Sequence, residues 1–295
     1  MKIPPQIRLL RLALVPTAIA DVVTGAAYAG DVSVLRTIGA CIASACFYMG
    51  GMVLNDLADR NRDVYLDPER PLVKYPGLAS QAWGMVLVLF TAGLLLASVS
   101  GVPLFGAIVA AFAVLYDLGA KKTFPADALT MGGARAANMA MGIAVGGGAL
   151  NWGAWTLIIG YGVFIAGVTG ASRTEDFKEV RRRREWLAIS ILPMLVACGA
   201  LSSLAQPGGG ITLFLLPAVV LIVALLRALK VGTSAATKKF VLHCLLCIFL
   251  LHGVLLWSTH HWIAAAIVVA LAVSSIYLLR ILKPEARAPD VDTIE

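Results

Sequence analysis

With 295 residues, 59% of them hydrophobic and 14% charged, the chain has a mean hydropathy of +0.85 and a formal net charge of +7. Its length alone would suit one large soluble domain or two smaller ones, but that hydropathy excludes a soluble globular protein and leaves a polytopic membrane domain. The basic excess is gathered in short breaks between apolar runs, which excludes nucleic acid as its partner and points to membrane lipids.

About 20 apolar residues cross the hydrocarbon core as a helix. Runs of that kind predict helices near 10–29, 36–54, 81–99, 102–117, 130–148, 154–171, 186–204, 211–229, 240–257 and 262–281. Only "STHH" separates the last two, so nine helices and ten both fit. The first run follows a short basic lead (Lys2, Arg8, Arg11) with no small-residue cleavage site, so it reads as a span and not a removable signal. The expectation is an all-α polytopic helical bundle forming a single domain over 1–295, with a polar tail from about 284.

Basic residues alternate along the chain. Arg60, Arg62, Arg70 and Lys74 follow the second run, Lys121 and Lys122 the fourth, and Arg173, Lys178 and Arg181 to Arg184 the sixth. Arg227, Lys230, Lys238 and Lys239 follow the eighth, and Arg280, Lys283 and Arg287 the tenth. Of the intervening loops, little beyond Arg36 is charged. The positive-inside rule then places the N-terminus and every even-numbered loop in the cytoplasm, for a multi-pass protein of the cell (inner or plasma) membrane. Arg181 to Arg184 read as a topology anchor at anionic headgroups. Trp152, Trp155, Trp257 and Trp262 flank the opposite ends, where aromatic belts form.

The five cysteines (Cys41, Cys46, Cys198, Cys244, Cys247) lie within apolar runs and read as small core residues. His243-Cys244-x-x-Cys247 has no second cysteine pair to complete a metal site. The glycines of "GGGAL" and "GYGVFIAGVTG" suit close helix packing. His252 reads as a hydrogen-bonded core residue. Asp21, within the first run, and Arg135, early in the fifth with Asn138 one turn on, are intramembrane polar groups that pair with each other or serve a site.

The chemistry concentrates in "NDLADRNRD". On a helix, Asp56, Asp59 and Asp63 fall at i, i+3 and i+7 with Asn55 one step aside, all within a face of about 100°. One carboxylate at the bilayer centre costs roughly 2.5–3.5 kcal/mol, so three belong at a cytoplasmic mouth, with a cation, or both. Oxygen ligands on one face suit Mg²⁺, which takes one or two carboxylates plus phosphate oxygens; a solvated helix end beside four basic residues is the simpler alternative. A second acidic stretch, "GASRTEDFKEV", places Glu175, Asp176 and Glu179 within one helical arc on the same membrane side. Between the two in sequence lies "YDLGAKK", whose Lys121 and Lys122 suit a departing diphosphate.

"NDLADRNRDVYLDPERPL" resembles the first Asp-rich motif of the UbiA superfamily of membrane prenyltransferases, through Asn55, Asp56, Asp59, Asp63, Arg70 and Pro71. "LYDLGAKK" is similar to that family's Tyr-plus-Lys segment, through Tyr116, Lys121 and Lys122. The resemblance spans roughly 5–285, and "ADVVTG", "ARAANMAMG" and "SRTE" are similar to an EboC-like subset. It implies a helical bundle around a central cavity, Mg²⁺ as cofactor, a prenyl diphosphate donor and an aromatic or other lipophilic acceptor. It further implies metal ligands among Asn55, Asp56, Asp59, Asp63, Glu175, Asp176 and Glu179, and diphosphate contacts from Arg62, Lys121, Lys122, Arg135, Asn138 and Arg173. Asp59, Asp63, Asp176 and Tyr116 become the catalytic set, Tyr116 through its aromatic face. The second motif departs from the family's D-x-x-x-D: Ser172 stands at the first position if Asp176 takes the fifth, or the acids read Glu175-x-x-x-Glu179. That departure leaves a non-catalytic isoprenoid-binding or isoprenoid-transporting relative as the alternative. A phosphoalcohol transferase would need a D-G-x-x-A-R element, which "NDLADRNRD" does not contain.

Overall fold

The computed structural model of the chain describes residues 4–30, 33–205 and 211–282, excepting the side chains of Leu66, Asp176, Ile211 and Thr212. Lys2, Lys283, Arg287 and the tail expected from about 284 lie outside the described residues. Within the described residues the chain is helical and without strands. The long helices are α1 (Val15–Ala29), α2 (Val34–Leu66), α3 (Ala79–Val99), α4 (Pro103–Leu118) and α5 (Ala126–Val145), then α6 (Trp152–Arg173), α7 (Val180–Ser202), α8 (Leu215–Val231), α9 (Ser234–Ser258) and α10 (Trp262–Ile281). Seven of these (α1 extended back to Leu12, α2, α3, α6, α7, α9 and α10) are long and apolar enough to cross a membrane. The chain is a multi-pass membrane protein.

Each expected run falls on one of these helices, and two boundaries are informative. The second run was expected to end at 54, yet α2 continues for twelve further residues and carries the whole acidic stretch on one helix. Ion pairs described below hold that extension. At the "STHH" break, His260 takes a left-handed φ of 62°, and Thr259 Oγ1 donates to the Leu255 carbonyl. The chain reverses there and α10 packs back on α9, giving two helices. Trp257 and Trp262 flank that turn edge to face, ring centroids 4.3 Å apart.

Consecutive helices pack side by side, while α1 closes the bundle by contacting α2, α5, α9 and α10. The α1–α5 crossing depends on two facing glycines. A Cβ on Gly25 would lie 2.5 Å from the Met139 carbonyl oxygen, and one on Gly142 would lie 2.5 Å from that of Val22. Neither helix can carry a side chain there without separating, as expected where membrane helices pack by backbone contact. On the outside, α3 and α10 expose Leu87, Leu95, Ile263 and Val273, the apolar surface that a lipid-facing helix requires. The packing leaves a cavity among α1, α2, α4, α5, α6 and α9.

The glycine crossing makes a direct prediction. Gly142→Val should lower stability by about 1–3 kcal/mol, read from thermal melts in detergent. Gly199→Ala, where an added Cβ meets nothing within 4 Å, should leave the melt unchanged or raise it slightly.

Candidate active site

Helical geometry divides the first acidic face before any partner is considered. At about 100° per residue, Asn55 and Asp59 stand about 40° apart on one edge, and Asp56 and Asp63 about 20° apart on the other. The two edges meet different cations. On the first, Asn55 Nδ2 donates to Asp117 Oδ1 at 2.8 Å. Lys121 Nζ lies 3.0 Å from Asp59 Oδ1 and 3.2 Å from Asp117 Oδ1. On the second, Asp56 Oδ1 accepts from Arg11 at 2.6 Å and from Arg70 at 2.8 Å. Arg70 Nε is 3.8 Å from Asp63 Oδ2 and 3.3 Å from Asp67 Oδ2.

Local structure fixes both arginines. Arg70 precedes the helical turn Pro71–Lys74, with proline at its first position. The buried Leu72 of that turn packs with Leu9, Val53 and Ala82. Arg11 sits between the short helix Pro5–Leu9 and the turn Leu12–Leu14 in a left-handed conformation, φ 46° and ψ 46°. That conformation costs about 1–3 kcal/mol, and the Asp56 contact offsets it. Burial disfavours the Arg70 charge, but Asp56, Asp63 and Asp67 outweigh it and hold its pKa above the ordinary arginine value.

The second acidic stretch is not the helical arc expected. α6 ends at Arg173, Thr174–Asp176 form a tight 3₁₀ turn, and Phe177 is extended, with Glu179 exposed at the N-cap of α7. The reason is a clasp from α7: Arg183 donates to the carbonyls of Thr174, Phe177 and Gly232. Glu175 and Glu179 therefore share no helix face, and the side chain of Asp176 lies outside the described residues. Of the basic run read as an anchor, Arg183 is this internal clasp and Arg181 pairs with Glu185. Ser172 Oγ donates to the Thr169 carbonyl and lines the cavity. Arg173 pairs with Asp127 and donates to the Lys121 carbonyl, which brings the turn after α6 to the mouth. Lys122 and Arg62 are exposed on the same rim.

Below the mouth lies a cavity of about 340 Å³. Asn55, Tyr116, Asp117 and Ser172 line its mouth end, Phe47, Phe112, Ile165 and Leu245 its walls, and Arg135 and Asn138 its depth. Arg135 and Asn138, both expected at the diphosphate, are engaged with Asp21. Arg135 Nε is 3.2 Å from Asp21 Oδ2, and its Nη2 is 3.2 Å from Asp21 Oδ1. Tyr161 donates to Asp21 Oδ1 at 2.6 Å, and Asn138 Nδ2 donates to Asp21 Oδ2 at 3.0 Å. Arg135 stands eight residues beyond Asp127 on α5, about 12 Å deeper along the axis. His252 is a hydrogen-bonded core residue as expected, with Nδ1 2.6 Å from Thr24 Oγ1.

Two functional-layer acids escaped the sequence reading, Asp117 and Asp127. Asp117 had a legible signal: an acid four residues before Lys121 on a helix is an i, i+4 partner. Asp127 had none, because its partner Arg173 is distant in sequence.

Among the described residues, no three acidic, histidine or cysteine groups converge to hold a metal alone. The set that does converge, Asn55, Asp59 and Asp117, is made of amide and carboxylate groups with an ammonium already seated between the carboxylates. That chemistry fits a hard cation completed by ligand phosphate oxygens.

An all-helical membrane bundle with an acid-and-lysine mouth over an apolar cavity defines a class of polytopic membrane proteins with room for a polar head above a greasy chain. The chain matches the UbiA prenyltransferase family over residues 13–240, and it belongs to that family; the match is to the family as a whole. No curated protein matches. Among solved structures it is similar to a UbiA homologue from Aeropyrum pernix K1 without ligand, at 17% identity over 90% of this chain and 98% of that one, TM-score 0.65. It is similar to a digeranylgeranylglyceryl phosphate synthase at 17% identity over 92% and 99%, TM-score 0.57. A UbiA homologue from Archaeoglobus fulgidus bound to DMAPP and Mg²⁺ aligns at 15% identity over 94% and 100%, TM-score 0.53. At these identities the likeness establishes the fold.

The buried ion pair gives the next prediction. Arg135→Leu strands the Asp21 carboxylate and should cost about 3–5 kcal/mol in detergent melts, whereas adding Asp21→Asn should restore at least about half of it.

Proposed function

We propose that the chain is a Mg²⁺-dependent prenyltransferase that ionises a prenyl diphosphate at a cytoplasmic mouth and alkylates a lipophilic acceptor held in the cavity. The observation that carries this reading is the Lys121 ammonium set between Asp59 and Asp117 at the open end of an apolar cavity. A diphosphate needs cations at one end and an isoprenoid needs a dry sleeve at the other, and both are adjacent here.

Asn55 and Asp59, with Asp117 opposite and Asp63 one turn on, are the proposed metal-holding groups. Glu175 and Asp176 belong to the proposal as a second set, because Arg173 ties their turn to the Lys121 backbone. Glu179, exposed beyond the clasp, is left out. Asp56 is held by two arginines and acts as their anchor. When bound with diphosphate oxygens, Mg²⁺ supplies the charge that makes diphosphate a competent leaving group.

The remaining steps belong to the chain. Lys121, with Lys122, Arg62 and Arg173 around it, binds the outer oxygens. The C1–O bond of the donor breaks with its electron pair going to diphosphate. Tyr116, on the cavity wall next to Asp117, offers an aromatic face to the allylic cation. The acceptor's electron pair forms the new bond to C1, and the acceptor's proton leaves with a diphosphate oxygen. Phe112 and Ile165 keep water from the cation. The archaeal homologue bound to DMAPP and Mg²⁺ supports the donor class.

Purified protein incubated with Mg²⁺ and a panel of radiolabelled prenyl diphosphates should release diphosphate. Asp59→Ala, Asp63→Ala and Lys121→Ala should each slow release by roughly a hundredfold or more. A protein that binds no donor, or releases diphosphate regardless of Asp59 and Asp63, is not this enzyme. Tight donor binding without release would identify an isoprenoid-binding relative, the reading that Ser172 favours.

A further inference from the structure

We infer that the deep end of the cavity is a recognition site for an uncharged hydroxyl group on the acceptor, built from Arg135 and Asn138. The two residues are one turn apart on α5 and both line the cavity. Arg135 is committed to Asp21 and Tyr161 through Nε and Nη2, which leaves Nη1 as a donor. Asn138 Nδ2 is committed to the Ala18 carbonyl at 2.9 Å and to Asp21. Those two acceptors fix the orientation of the amide, so the group without a partner is the oxygen. Asn138 is 3% exposed and its Oδ1 has no hydrogen-bond partner, a state that buried polar atoms seldom occupy without a ligand or water.

The chemistry selects the occupant. A hydroxyl accepts from Arg135 Nη1 and donates to Asn138 Oδ1, using both groups. A ketone or an ether uses the arginine and leaves the amide oxygen unmatched. A carboxylate faces two obstacles: Asp21 already neutralises Arg135, and its own oxygens would meet Asn138 Oδ1, lone pair against lone pair, in a low-dielectric setting. An isoprenoid tail has no polar atom to offer, so it satisfies neither group. The layer lies about 12 Å inward of the Asp127 level on α5. The hydroxyl held there is therefore a recognition group, separate from the atom that is prenylated. Naming its owner the acceptor rests on the prenyltransfer reading; binding of a neutral hydroxyl does not.

The test compares three probes of one skeleton, para-hexylphenol, its methyl ether para-hexylanisole, and para-hexylbenzoate, by calorimetric titration of the full chain in nanodiscs against empty nanodiscs. The phenol should bind about tenfold more tightly than the ether, the worth of one buried hydrogen bond, and more tightly than the carboxylate. Asn138→Leu should erase the phenol–ether difference. Asn138 also braces Asp21, so that variant can fail to fold; the wild-type ranking then decides alone. Equal binding of phenol and ether leaves water as the occupant of Asn138 Oδ1 and overturns the inference, as does tightest binding of the carboxylate. Asp59→Ala should leave the phenol affinity unchanged. Preserved phenol preference without diphosphate release sinks the prenyltransfer reading alone, and release without the preference sinks this one alone.

Discussion

Inside a membrane bundle an ionised carboxylate persists only where a cation meets it, and that constraint organises this molecule. Asp21, fully buried in α1, needs Arg135 from α5. The reach between them is short only because α1 and α5 touch backbone to backbone. Gly25 stands one turn after Asp21, and Gly142 one turn after Asn138, so the glycines that close the crossing also set the separation of the polar groups beside it. Tyr161 from α6 and Asn138 complete the shell around the carboxylate. Four helices thus meet at one charge, because His252 of α9 stacks edge-on against Tyr161 with ring centroids 4.9 Å apart.

The same rule shapes the mouth, with different geometry. There Asp56, Asp59 and Asp63 lie on α2 and Asp117 on α4, and the cations arrive from three separate segments: Arg11 from the N-terminal turn, Arg70 from the loop after α2, and Lys121 from the turn after α4. Arg70 and Lys121 each serve more than one carboxylate, so losing either unbalances the layer, whereas Asp56 keeps one arginine when the other is lost. The cavity lies between two polar layers, one around Asp21 and one at the mouth, with apolar walls between them. A space of that kind suits a ligand that is polar at both ends of its path and greasy along the middle.

How much of this was legible in sequence follows from how local each feature is. The helices could be read because hydropathy acts on contiguous residues, and the acidic face of α2 because its period is a property of one helix. The division of that face could not be read, since Arg11, one of the two partners of Asp56, and Asp117, the partner of Asn55, lie 45 and 62 residues away. The second acidic stretch misled because helix was assumed to continue past Arg173. What stops it is Arg183, a residue whose sequence neighbourhood reads as a membrane anchor. Asp21 and Arg135 were legible as a possible pair, because two opposite charges stranded in apolar runs have few other ways to be stable. Their depth, and so their distance from the mouth, needed the register of α5.

The pairing of the mouth acids has an electrical consequence. Asp56, Asp59, Asp63 and Asp117 suggest a strongly negative opening that would repel any anion, yet each is within 4 Å of a guanidinium or ammonium nitrogen. The opening is close to electroneutral before anything enters it. An anionic headgroup arriving with its own counter-cation would trade partners with side chains already present, the lysine being released from carboxylates that a cation could hold in its place. Entry would then be an ion exchange, with little net charge moved toward the membrane.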